Sequence, residues 1–293
     1  MNRGMCVMKY KFGYNKAPKE VIKDILTYLT LIAIILVMGL PIMSMLGTAF
    51  KERVVAISSS SLFPGWGEWR IESFRGVIDA GIFLRSLLNS AIVTVTVTFF
   101  CIVIASLAGY AISRFRGKIF SAYAVFLLLL QMFPIMLLLM PLFILYQQFG
   151  IINSLWSVII SYTTLNMAFS IWMLRSFFDT IPRELEQAAM VDGCTRFQAW
   201  LRVVMPISLP GIGTVAIFTF INAWNEYTLA SIFLRRNEVF TATIALQQFV
   251  LQFSQDWPLL MAASTIAVTP TVIVLFFAQK LLIQGMTAGA VKG

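Results

Sequence analysis

The chain contains no histidine and only three cysteines, Cys6, Cys101 and Cys194, scattered singly. With no CxxC spacing and no His/Cys grouping, neither a zinc site nor a disulfide framework is indicated, and the thiols read as small apolar residues. Charge is also scarce: Asp, Glu, Lys and Arg make up 12% of the 293 residues, against about 25% in soluble domains. Glycosyl transfer, proteolysis or phosphoryl transfer would need paired carboxylates, a metal cluster or an activated nucleophile, and none is visible. No G-x-x-x-x-G-K-[ST] stretch offers a loop to cradle a nucleotide. An enzyme is therefore not expected, and no cofactor is expected in this chain. The formal charge of +9 sits in the gaps between apolar runs, with no basic face interleaved with aromatics, so nucleic acid is not an expected partner and membrane lipid is.

What fills the sequence instead is apolar: 59% of residues are hydrophobic and the mean hydropathy is +0.85. Charge-free intervals long enough for a membrane helix, about 20 residues, mark six expected spans, at about 25–47, 86–110, 119–146, 154–175, 207–230 and 259–283. The third and fourth come from a single run of 56 residues without a charge, between Lys118 and Arg175, divided by the polar turn QQFGIINS. Lipid leaves no partner for an unpaired backbone group, and no ten-residue alternating strands appear, so the expected fold is an all-α bundle of six transmembrane helices. Residues 1–24 and 284–293 read as tails. The first apolar run is longer than a signal-peptide core and is preceded by Glu20 and Asp24, which fits an uncleaved anchor. Lys and Arg number 15 in the two tails, the SRFRGK loop and the segment around Arg183, against seven in the alternate loops. Both termini are thus expected in the cytoplasm. The first outer loop, Thr48 to Arg85, holds five of those seven, together with an FPGWGEW stretch that suits an interfacial anchor or a docking surface.

Ion- or proton-driven transport leaves acids near mid-membrane. Glu226, in NAWNEY near the outer end of the fifth span, comes closest; it reads either as a gate or pathway carboxylate or as an interfacial helix end. Gln131, Asn166, Asn222 and Asn225 are the polar residues that could line a passage, and such groups also bond across helices. Pro134 and Pro141 in the third span and Pro270 in the sixth should each bend or loosen a helix.

The stretch from Asp179 to Gly211, DTIPRELEQAAMVDGCTRFQAWLRVVMPISLPG, interrupts the apolar text. It predicts two short helices in a loop over 179–206. Pro182 suits a first turn, Glu184 and Glu186 lie near the positive end of the dipole, and Gly193 supplies the stop. Thr195 and Gln198 then form a T-x-x-Q capping box, and Phe197, Trp200, Leu201 and Val204 fall on one helical stripe before Pro206 closes the segment. Small Ala188 and Ala189 would let another surface approach closely. An amphipathic pair lying on headgroups is the alternative, but the first helix carries as many acids as bases, which favours a protein partner.

EQAAMVDG followed by MPISLPG resembles the EAA loop of permease subunits in binding-protein-dependent ABC importers, in the carbohydrate branch that includes MalG-type subunits. FLRSLLNSAIVT, LAGYAISRFRGK, NAWNEYTLA and the terminal GAVKG are similar to that branch as well. The resemblance implies a type I ABC importer permease fold in a bacterial inner membrane. It implies a coupling helix that contacts a cytoplasmic ATPase through Glu186, Gln187, Ala188, Ala189, Asp192, Gly193, Phe197, Pro206 and Pro210. The implied partners are a second homologous permease, two cytoplasmic ATPase subunits that hold ATP and magnesium, and an extracytoplasmic solute-binding protein. That protein would dock on the first outer loop and on Arg235 to Pro258, and the GAVKG tail would reach the ATPase. Where the family pattern has Glu six residues before the Gly, this chain has Gln187, with Glu186 beside it; Cys194 stands where Ala is usual. The implied function is import of an oligo- or polysaccharide, anionic or neutral. The competing readings are a stand-alone secondary transporter of a small polar solute and a non-transporting scaffold.

Overall fold

Long helices occupy the charge-free runs. The computed structural model describes residues 18–290 apart from Ser60, Arg116 and Ser254. Of the tail expected over 1–24, residues 1–17 lie outside the described residues, as do 291–293 of the terminal GAVKG, and residues 18–24 open α1 as helix. In chain order the helices are α1 (Pro18–Ala49), α2 (Arg53–Ser58), α3 (Glu72–Asp79), α4 (Ile82–Arg114), α5 (Lys118–Met132), α6 (Ile135–Gln148), α7 (Leu155–Thr180), α8 (Arg183–Val191), α9 (Arg196–Ala199), α10 (Met205–Ile207), α11 (Leu209–Asn225), α12 (Thr228–Phe233), α13 (Ala242–Gln252) and α14 (Trp257–Ala290). No strand occurs among the described residues.

Four stretches, Val21–Ala49, Ile82–Arg114, Leu155–Thr180 and Trp257–Gln279, are long and apolar enough to cross a bilayer unbroken. The remaining crossings belong to two bent pairs, α5 with α6 at 96° and Arg196–Ile207 with Leu209–Asn225 at 75°. Counting each pair once gives six. The break in the third crossing falls at Pro134, which has no N–H to continue the ladder and holds Phe133 in an extended conformation (φ −76°, ψ 124°). Pro141 and Pro270 lie inside α6 and α14, which run through them without interruption. The residues expected to form a C-terminal tail from 284 continue α14 as helix to Ala290.

The bundle is organised around α4 and α7, which pack along their length, with α11 against both and α14 joining α11 to α1. Gly109 of α4 allows the close approach: a β-carbon there would lie 3.1 Å from the Ile171 carbonyl and from the Arg175 backbone nitrogen. Small residues at a crossing are how membrane helices gain dispersion contact when lipid supplies no hydrophobic drive. One apolar cluster fills the half of the bundle that holds α12, around Val97, Tyr162 and Phe233, and another fills the half next to the 179–206 loop, around Tyr110, Leu174, Phe178 and Trp200. By contrast α1 buries none of its apolar window. Its Leu26, Ile35 and Met38 stay exposed, as lipid contact requires.

Candidate functional site: a clasped loop and a polar seam

Local chemistry explains the shape of the 179–206 loop. Gly193 ends α8 with φ +92°, in the region open to glycine at little cost. Around it the Gly193 N–H donates to the Met190 carbonyl (3.1 Å) and the Cys194 N–H to the Ala189 carbonyl (3.0 Å), the paired bonds of a Schellman stop. Two residues later the Thr195 hydroxyl accepts from the Gln198 N–H (3.3 Å) while the Gln198 side chain accepts from the Thr195 N–H (2.9 Å), so the capping box forms. The following turn, Trp200–Val204, widens into a π-turn in which the Met205 N–H reaches back to the Trp200 carbonyl. It stands just before Pro206, which cannot donate.

Most of the loop residues singled out from sequence face outward. Gln187, Ala188, Asp192, Gly193 and Pro206 are exposed, Phe197 is 61% exposed, and Ala189 and Pro210 are half-buried. Phe197 and Leu201 do not share the buried stripe with Trp200 and Val204; only the latter two turn inward, and the widened turn leaves the other two outside. Leu185 (43% exposed) and Val191 (88%) join the outer surface. They were not anticipated, although Val191 beside the polar Asp192-Gly193 stop has no inward neighbour to meet.

Glu186 points inward. Expected to face a partner, it is only 6% exposed and turned onto its own chain. Arg114 Nε donates to its Oε1 (2.5 Å) and Tyr110 Oη to its Oε2 (2.7 Å). Arg114 spends its other nitrogens on the Ser113 hydroxyl and the Ile181 carbonyl, each at 3.1 Å. Ser113 in turn donates to Asp179 Oδ1 (2.6 Å), and Arg183 donates to the Ser113 carbonyl (3.0 Å). A buried ion pair is tolerable only when its remaining lone pairs and protons are satisfied, and here both carboxylate oxygens are. The Tyr110 ring sits under the clasp, with Phe178 at 6.0 Å edge-on and Trp200 at 6.2 Å. The sequence did carry a trace of this: Tyr110 and Arg114 are four residues apart and so share a helix face.

Within the apolar helices, Asn222 Nδ2 donates to Asn166 Oδ1 (3.2 Å) across α7 and α11, and Ser170 lies 3.5 Å from Thr219 one turn further along. Asn166 is buried; Asn222 and Asn225 are exposed along one face of α11 with Phe218, whose ring stacks on Phe169 at a centroid distance of 3.9 Å. Glu226 caps α12: its carboxylate accepts from the Leu229 and Ala230 N–H groups (3.0 and 3.3 Å), and its carbonyl accepts from Thr243. Gln131 stands apart from this seam. It lines an apolar cavity of about 830 Å³ between α4, α5, α6 and α7, with Phe100, Tyr123 and Trp156.

Three comparisons bear on this arrangement. Residues 101–288 match the model of the family described as binding-protein-dependent transport system inner membrane component. The chain is 36% identical over 265 residues to the diacetylchitobiose uptake system permease protein DasC of Streptomyces coelicolor, covering 89% of this chain and 95% of that one. It is 31% identical over 282 residues to the trehalose/maltose transport system permease protein MalG of Thermococcus litoralis, covering 94% and 99%. Its fold is that of a chain in the crystal structure of a bacterial ABC transporter involved in the import of the acidic polysaccharide alginate, with a TM-score of 0.80 over 92% of this chain and 99% of that one, at 18% identity.

Proposed function

The chain belongs to the family of binding-protein-dependent transport system inner membrane components, and from that premise we propose that it forms one half of a saccharide pathway and couples it to ATP hydrolysis through α8. As a member of that family it is a permease subunit of an ABC importer rather than an enzyme, which sets aside the stand-alone secondary transporter and the scaffold. The relatives' names speak of saccharides: a chitobiose derivative for one and trehalose or maltose for another. An exposed face of α11 that offers the Asn222 and Asn225 amides beside the stacked Phe218 suits that class. Amides both donate to and accept from hydroxyls, and an aromatic face meets the apolar side of a pyranose ring.

The observation that carries the coupling role is the outer surface of α8 and the turn after it. Leu185, Gln187, Ala188, Val191, Asp192 and Phe197 form a low, nearly neutral surface on a loop outside the apolar spans, held by a Schellman stop and a capping box. Gln187, Ala188, Ala189, Asp192, Gly193 and Phe197 are the proposed ATPase contacts, with Pro206 and Pro210 setting the exit into α11. Glu186 acts from within. A second, homologous permease would cover the exposed face of α7 and α11; two cytoplasmic ATPases would hold ATP and magnesium; and a binding protein would dock outside on the loops around α3 and α13. Both termini lie in the cytoplasm in this reading, supported by the distribution of Lys and Arg.

The test is hydrolysis by the complex purified with its partner permease and ATPases and reconstituted with its binding protein, scanned over neutral and anionic oligosaccharides. A saccharide that stimulates hydrolysis and accumulates inside proteoliposomes supports the proposal. Stimulation by no saccharide, with uptake of another solute class, refutes it.

A further inference from the structure

Helix α4 is 33 residues long, contains no proline and is gripped by buried polar clasps near both ends. At the cytoplasmic end, α8 is tied at two points one turn apart: Arg183 to the Ser113 carbonyl, and Glu186 to Arg114 and Tyr110. Because the Tyr110 ring also meets Trp200, both short helices of the loop bear on one turn of α4. Toward the outer end, Asn89 Nδ2 donates to the Glu238 and Phe240 carbonyls (3.0 and 2.9 Å), and the Ser90 hydroxyl accepts from the Ala242 N–H (2.8 Å). Asn89 and Ser90 are 9% and 2% exposed. The segment they hold, 237–242, leads into α13, on the side opposite the loop. The two clasps are separated by about 36 Å of helix at 1.5 Å per residue.

The ion pair of the inner clasp is not explained by stability alone. A buried ion pair is often replaceable by packed apolar side chains without loss, whereas its directionality fixes one orientation. Apolar contact would let α8 roll about its axis; two hydrogen-bonded anchor points do not. We therefore propose that α4 is a strut that carries binding-protein docking on the 237–252 segment to α8 and its ATPase, with Arg114, Tyr110 and Glu186 as positioning residues at one end and Asn89 and Ser90 at the other. The inference rests on the coupling role proposed for α8. Coupling through one rigid element is reciprocal, so ATP-driven closure would equally change the affinity for the binding protein outside.

The experiment measures binding-protein-stimulated over unstimulated hydrolysis in intact complexes. Glu186→Gln and Asn89→Leu should each retain the partner permease and the ATPases but reduce that ratio by a factor within the range of about 5 to 150 typical of coupling between sites. The double variant should lose no more than the worse single one, because both interrupt the same element. Losses that multiply, or a wild-type ratio in either single variant, overturn the strut. Should Glu186→Gln fail to assemble, the paired replacement Arg114→Met with Glu186→Leu leaves no unpaired charge; it should assemble and still lose stimulation, and a wild-type ratio there also overturns the proposal. Val191→Arg keeps the two questions apart. If it loses the ATPases while the clasp variants stimulate normally, only the strut fails; if it keeps them with full stimulation, the docking role of α8 fails first.

Discussion

Replacing Gly193 isolates backbone conformation from packing. A β-carbon there would stand in open space, with nothing within 4 Å, yet φ is +92°. Any penalty is therefore the cost of holding an L-residue in the left-handed region, about 1–3 kcal/mol for a non-glycine residue and at the upper end for a β-branched one. At about 1.4 kcal/mol per factor of ten, Gly193→Val should reduce the population of the Schellman turn by roughly one to two orders of magnitude. The bonds at stake are those from the Gly193 and Cys194 N–H groups, which end α8 and aim the chain into the Thr195 capping box. Stimulated hydrolysis in purified complexes should fall in the order Gly, Asn, Ala, Val, because Asn tolerates the left-handed region better than other side chains. Membrane insertion and pairing with the second permease should persist. If Val couples as well as Gly, or Asn is as harmful as Val, the turn geometry is not what transmits.

Three further outcomes follow from particular contacts. Single cysteines at exposed Lys118 and Gln148, in a background lacking Cys6, Cys101 and Cys194, should label from opposite sides with an impermeant thiol reagent; labelling from one side contradicts the six-crossing topology. Glu226→Gln keeps one acceptor oxygen where two N–H groups of α12 are now served, a loss of about 1 kcal/mol. A thermal shift of that size with near-normal transport is expected of a cap, and abolished transport with intact assembly would make Glu226 a gate. Asn222→Ala removes one interhelical bond, which in membranes averages about 0.6 kcal/mol. Melting should hardly move, while saccharide uptake drops; unchanged uptake removes Asn222 from the pathway.

What could be read from the sequence was local. Hydropathy placed the long helices, Pro134 marked the break between α5 and α6, and Gly193 and Thr195-x-x-Gln198 foretold the stop and the cap, because each depends on residues within one turn. Glu186 was misread because its partner lies 72 residues away. Nothing in EQAAMVDG tells an outward acid from one that meets an arginine on another helix. The Asn166–Asn222 bond spans 56 residues; bonding across helices was one of the two readings open for these amides, and the sequence could not say which would pair. Pro141 and Pro270 produced no interruption, since a membrane helix can re-satisfy a freed carbonyl where neighbouring helices allow it. The split between Trp200 and Phe197 escaped the periodicity argument, which assumes 3.6 residues per turn where the chain makes a π-turn.

In the proposed complex the outer surface of α8 is seated on an ATPase while Glu186 anchors it from within. A photo-activatable cross-linker attached to Val191→Cys, 88% exposed in the isolated chain, tests it directly in the purified complex. A covalent adduct with the ATPase subunit is expected from Val191→Cys and none from Gln148→Cys on the opposite side of the bundle. Adducts confined to lipid or to the second permease, with ATPase present at full stoichiometry, would contradict it.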